Sequence, residues 1–251
     1  AGDGTLQGMH GRIIAGAGYL GDVADREARI LIDEAQAELR WDAANRVLNA
    51  PFEIHAGTNR IALMASIEPP QDAAGRWSFA VSNGTVALAA GRAQEAPLVL
   101  DRIALRAAYD AAKRRIAIEQ ADLRGPSGGV ALSGTIDWSD SGARVALGLA
   151  GTRMPVSAFK RLWPAIVAPG LRSWVDQHLL SGIVERVEIA VNAPLPALLP
   201  NGPSLPQDGL SIEVMLRGAA VRPVDGLPAV KDAEILTRVV DRSATVTFGP
   251  S

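Results

Sequence analysis

Short segments in which apolar and polar residues alternate recur along most of this chain, and that period of two constrains its fold more than any other feature. Successive side chains of a strand point to opposite faces, so alternation builds a half-covered sheet, whereas a helix needs a three- to four-residue period. Ile103, Leu105, Ala107 and Tyr109 fall on one face of such a segment; Arg102, Ala104, Arg106 and Ala108 fall on the other. Val145, Leu147 and Leu149 repeat the pattern, and so do 184–191, 210–216 and 244–248. Glycine, asparagine and aspartate punctuate these segments as turns. The expected fold class is mainly β: repeated antiparallel strands forming a curved sheet or groove, with a short helical insertion.

A weak internal repeat sharpens this reading. Trp41-Asp42-Ala43-Ala44-Asn45-Arg46 is echoed by Tyr109-Asp110-Ala111-Ala112-Lys113-Arg114, 68 positions later. Residues 61–67 correspond in the same way to 130–136, 69 positions on, and a third partial copy is expected from Val240, Asp241, Arg242 and Ser243. One short meander cannot hide an apolar face alone, so such units pack side by side. Asp42 and Asp110 open the turns, where a short carboxylate accepts backbone N–H bonds, and are read as turn formers before catalytic acids.

The pattern changes after Gly151. Pro155 is placed to open a helix in which Val156, Phe159 and Leu162 or Trp163 share a side; Pro164 and Pro169 interrupt it. A second stripe follows as Leu171, Trp174, Val175 and His178 or Leu179, with Gly182 as the expected C-terminal cap residue. Three regions result: 1–150, a repeated antiparallel β segment; 151–182, two short helices joined by a proline elbow; and 183–251, a continuing β segment with a proline-rich loop at 194–209. Ile103, Leu105, Tyr109, Val145, Leu147 and Leu149 are candidates for an apolar groove or core. Phe159, Trp163, Leu171, Trp174 and Val175 are candidates for helix docking or cover, the tryptophans serving as core anchors or as an edge that meets lipid or a partner.

Composition narrows the chemistry. A formal net charge of −2, from 25 Lys plus Arg and 27 Asp plus Glu, provides no one-signed surface for general nucleic-acid binding. The absence of cysteine excludes a disulfide scaffold, a thiol nucleophile and a cysteine-ligated metal. No run reaches the 18 or so apolar residues of a membrane span. The start at Ala1 and the strand pattern ending at Phe248 suggest a fragment of a longer protein.

Sites of catalysis are weakly signalled. Gly125-Pro126-Ser127-Gly128-Gly129 matches the Gly-x-Ser-x-Gly elbow, but that motif needs a strand before and a helix after, and 130–136 reads as a strand. His10, His55 and His178 form no close metal-ligand pattern, and Asp176 and His178, two apart on a helix, do not share a side. Asp137 and Asp140 are expected in a turn and lack the spacing of a calcium loop. Gly16-Ala17-Gly18 falls short of a phosphate loop, and Asn83-Gly84-Thr85 is a short acceptor pattern frequent by chance. No catalytic residue, metal ligand or cofactor is expected; a serine hydrolase using Ser127 is the remote alternative.

Leu162, Trp163, Pro164, Ala168, Pro169, Arg172, Trp174, Val175, Leu179, Gly182, Val184 and Val187 together resemble the Trp-Pro, helix, Trp-Val, Gly-x-Val segment of the AsmA-like family, in particular its large YhdP/TamB-related envelope proteins with a domain of unknown function. Val224, Gly226, Leu227, Pro228, Ala229 and Val230 resemble a later passage of that group, with Ala229 replacing the second proline. The resemblance covers about 151–246. It implies a periplasmic segment of an inner-membrane-anchored protein, whose membrane contact lies in parts absent from this chain. There it would hold or conduct phospholipid acyl chains between inner and outer membranes, with other envelope proteins as further partners. It carries over no catalytic residues. The alternative from the residues themselves is a structural β-sandwich, spacer or interaction module without lipid.

Overall fold

The computed structural model describes residues 7–20, 30–72, 75–90, 95–140, 142–163, 169–198, 202–222, 224, 226, 228–240 and 243–249. The chain is mainly β, with repeated antiparallel strands and a small helical insertion, and it divides into two compact units, Ala1–Gly125 and Pro126–Ser251.

The first unit contains β1 (His10–Ala15), β2 (Gly18–Leu20), β3 (Ile30–Ile32), β4 (Glu34–Asp42), β5 (Val47–Ala56), β6 (Asn59–Glu68), β7 (Arg76–Leu88), β8 (Leu98–Leu100), β9 (Arg102–Asp110) and β10 (Arg115–Gly125). Its sheet runs β1-β4-β5-β6-β7-β9-β10; β8 pairs with β7, and β2 pairs with β3 apart from the rest. Most strands are joined to the next by a short turn, so each lies beside its neighbour in sequence and local contacts set the register.

The two copies of the repeat form equivalent turns, β4 to β5 and β9 to β10. Each is entered by aspartate and left through an arginine in the left-handed region, Arg46 at φ 53° and Arg114 at φ 48°. Asp42 Oδ1 accepts from the backbone N–H groups of Ala44 and Asn45 at 3.0 and 3.1 Å, and Asn45 Nδ2 donates to Oδ2 at 2.7 Å. Asp110 Oδ1 accepts from the Lys113 N–H at 2.9 Å. These bonds favour the carboxylate over the acid. Both groups are held below their ordinary value of 3.8, Asp42 chiefly by the Asn45 amide and Asp110 chiefly by the Lys113 N–H. A depressed folded-state pKa contributes stability above the ordinary value, lost as pH falls through the folded one. Asp42→Ala is therefore expected to lower the urea midpoint at neutral pH, with the gap to the parent protein closing below pH 3.8. A gap independent of pH would assign the turn to packing instead.

The second unit contains β11 (Gly128–Ser139), β12 (Gly142–Gly151), β13 (Met154–Pro155), α1 (Val156–Leu162), α2 (Pro169–His178), β14 (Leu179–Pro194), α3 (Leu195–Leu198), β15 (Leu210–Val221), β16 (Val230–Val240) and β17 (Ser243–Phe248). Its order is β11-β12-β14-β15-β16-β17, with β13 on the first part of β14. The strand order does not return on itself in either unit, and no second sheet of comparable size is formed among the described residues. Neither unit taken by itself forms a two-sheet sandwich among the described residues.

Several expectations need correction. Gly182 does not cap α2: the helix ends at His178 and β14 starts at once. Gly182 lies inside β14 at φ 132°, where a Cβ would stand 2.9 Å from Ala219 Cα, and the register slips on either side of it. Glycine is there for close strand approach. Pro194 is the last residue of β14, opposite Arg144, and α3 follows directly, so the loop to β15 is shorter than 194–209. Asp137 belongs to β11 rather than to a turn. Pro164 of the elbow and Asp241 and Arg242 of the third copy lie outside the described residues; Val240 and Ser243 on either side pair with each other.

The expected placement as a periplasmic part of an inner-membrane-anchored protein is also corrected. Among the described residues no helix is long and apolar enough to cross a membrane; α2, the longest, has 10 residues where about 20 are needed.

Candidate functional site: a one-sided apolar sheet

Residues directly opposite in antiparallel pairs share a face, so the registers show which side chains line up across the sheet. In the first unit Trp41, Leu48, Ile67, Phe79, Ala107 and Ile118 form one row across β4 to β10. The parallel row is Ala50, Ala65, Val81, Leu105 and Ala121. One residue along, the opposite face carries Arg40, Asn49, Ser66, Ala80, Arg106 and Gln120. Alternation within each strand has become segregation of whole faces.

The polar face is tied by cross-strand side-chain bonds. Arg12 donates to Gln36 Oε1 at 2.9 Å, and Gln36 to Glu53 Oε2 at 3.0 Å. Arg76 pairs with Glu119 and Arg106 donates to Gln120, which within its own strand donates to Asp122. The Gln120 amide, then Arg124, holds the Asp122 carboxyl below its usual range. Such exposed pairs contribute little to stability individually. Their effect is to keep this face in water.

The apolar face is only partly covered. Val86, Leu98, Leu100 and Ile103 are buried where β8 lies against β7, while Leu105, Tyr109, Phe52, Leu63 and Ile67 remain half-buried. In the second unit Leu132, Leu149, Ile189, Ile212 and Val239 form the corresponding row. One end of its sheet is sealed: α1 and α2 pack on β14, and Met154, Val156, Val184, Val187, Leu216 and Ala219 are buried. Beyond that end, Val145 is buried and Leu147 and Leu149 are half-buried.

The groove-or-core candidates are thus placed on apolar faces but differ in cover: Ile103 and Val145 are 8% and 6% exposed, Leu105, Tyr109, Leu147 and Leu149 more so. Among the helix candidates, Phe159 and Trp163 meet edge to face at 5.6 Å between ring centroids, and Val175 is half-buried. Leu171 and Trp174 are exposed. Trp174 is no core anchor; its indole stacks on the His178 ring at 4.8 Å. Sequence reading missed Leu98, Leu100 and Met154. Leu98-Val99-Leu100 shows the alternating signal in too short a run to stand out beside Pro97, and the burial of Met154 depends on helices placed over it.

The residues tested for chemistry are not assembled. Ser127 stands in an exposed turn followed by β11, not by a helix. His10 begins β1, His55 lies in β5 and His178 ends α2. Among the described residues no three His, Asp or Glu side chains are grouped to hold a metal ion. Comparison with protein-family models, with curated proteins and with solved structures finds no match to this chain.

Proposed function

We propose that this chain is a non-enzymatic structural and interaction module, whose first unit is a sheet layer that keeps one face in water and offers the other to an apolar partner. The observation that supports this is the unbroken row Trp41, Leu48, Ile67, Phe79, Ala107 and Ile118, with no second sheet of comparable size formed among the described residues. Half-buried apolar side chains in such number mark a surface that gains from being covered, by about 25 cal/mol for each Å² removed from water.

A second reading is that the occupant is phospholipid, its acyl chains lying along the face. It is favoured by the chemistry of the rows, in which no charged side chain interrupts the apolar residues. It is also what the resemblance to AsmA-like proteins implies. A photoreactive residue at Leu63, with Ser66 on the opposite face as control, tests both readings in native extracts by mass spectrometry. A defined protein adduct from Leu63 alone supports the module, and acyl-chain adducts from Leu63 alone support the lipid reading. Equal, low yields from both faces would defeat the two together.

A further inference from the structure

We infer that Asn83 is a modification site, its carboxamide converted to a carboxylate without an enzyme, through a cyclic imide closed by the backbone nitrogen of Gly84. The chemistry starts from a break in the ladder. Ser82 of β7 stands opposite Met64 and Thr85 opposite Ala62, so Asn83 and Gly84 both lie across from the single residue Leu63. On the other side of β7, pairing with β9 ends at Ser82 and pairing with β8 begins at Val86. Asn83 and Gly84 therefore have no partner in the register of either neighbour, as at a β-bulge.

The bulge dictates both residue types. Asn83 has φ 52°, in the left-handed region that asparagine enters at less cost than most side chains. A Cβ on Gly84 would lie 1.9 Å from the Ala62 carbonyl oxygen, so only glycine fits. The fold thus sets an Asn-Gly pair in an exposed stretch outside the ladders. Glycine has no side chain to shield its nitrogen or to restrict the rotation that brings it to the asparagine Cγ. Closure of the ring is intramolecular and gains the rate advantage of a neighbour held close.

The Asn83 amide is also untied, with no side-chain hydrogen bond among the described residues. Other asparagines are held. Asn45 Nδ2 donates to Asp42 at 2.7 Å, Asn59 Oδ1 accepts from the Ala89 N–H at 2.7 Å, and Asn192 Oδ1 accepts from Arg144 at 3.0 Å.

In the reaction Gly84 N bonds to Asn83 Cγ and gives up its proton, the Cγ–Nδ2 bond breaks, and the amide nitrogen leaves with that proton as ammonia. Water then opens the imide at either carbonyl. Attack at Cγ gives aspartate; attack at the main-chain carbonyl of Asn83 gives isoaspartate, whose backbone runs through Cβ and Cγ. Either product adds a negative charge across from Leu63.

The test holds the folded protein in water enriched in heavy oxygen at mildly alkaline pH, followed by trypsin digestion in ordinary water and mass spectrometry. Fragment 77–92 carries Asn83 as its sole side-chain amide, and Asn201-Gly202, the other such pair, falls in a different fragment. A synthetic peptide of 77–92 sets the unrestrained rate. The folded protein should convert Asn83 within about tenfold of that rate, with isoaspartate exceeding aspartate and heavy oxygen in both. A folded-state rate further below the peptide's would show that the sheet shields the pair and would overturn the proposal. Aspartate alone, or product without heavy oxygen, would overturn it too. Crosslinking at Leu63 is read on fresh protein, so the sheet-face reading stands or falls separately.

Discussion

Gly134→Ala is expected to destabilise the second unit by about 3 kcal/mol or more, whereas Gly148→Ala on the adjoining strand leaves stability within about 1 kcal/mol. Both glycines are strand residues, so intrinsic propensity does not separate them. Gly134 in β11 sits at φ 152°, and a Cβ there would lie 2.1 Å from the Ala146 carbonyl oxygen and 2.7 Å from Leu147 Cα. Those atoms are backbone of the paired strand, which cannot yield without breaking the β11–β12 ladder. At Gly148 nothing stands within 4 Å of the added atom. Urea unfolding of the two variants beside the parent measures the contrast. Similar midpoints for both would show that β11 and β12 are not paired in this register.

Val187→Asp is expected to cost about 3–5 kcal/mol, enough to leave much of the second unit unfolded against a typical total of about 5–15. Val187 is 1% exposed beside fully buried Val184, so the carboxylate would be taken out of water among apolar side chains. Leu147→Asp, on a half-buried part of the same sheet, is expected to cost about 1–2 kcal/mol, because its carboxylate can still reach water. The comparison bears on function as well as stability. Equal losses would mean that Leu147 is sealed in a core, leaving no open apolar face in this unit.

Much of the fold was legible because its signals are local. Alternation in 102–109 and 145–149 assigns strand and faces from neighbouring residues alone, and the registers place Ile103, Leu105 and Tyr109 together on one side of β9. Asp42 and Asp110 were legible as turn formers for the same reason: each bonds to N–H groups two or three residues ahead. The end of α2 was not. Gly182 reads as a helix cap in one dimension, but its conformation is set by Ala219, 37 positions away in sequence and adjacent only in the sheet.

The sequence by itself determined that this chain makes antiparallel strands with one apolar and one polar side, since period-two alternation and short turns act within a few residues. Only the tertiary structure decided which apolar residues are covered. Ile103 and Leu105 carry the same signal, yet the first is buried and the second is not. Trp163, the C-terminal cap of α1, and Trp174 of α2 both belong to the helical insertion, yet the first is half-buried and the second exposed. Cover is a property of what other elements bring over a face. Alternation specifies the face and carries no information about its cover.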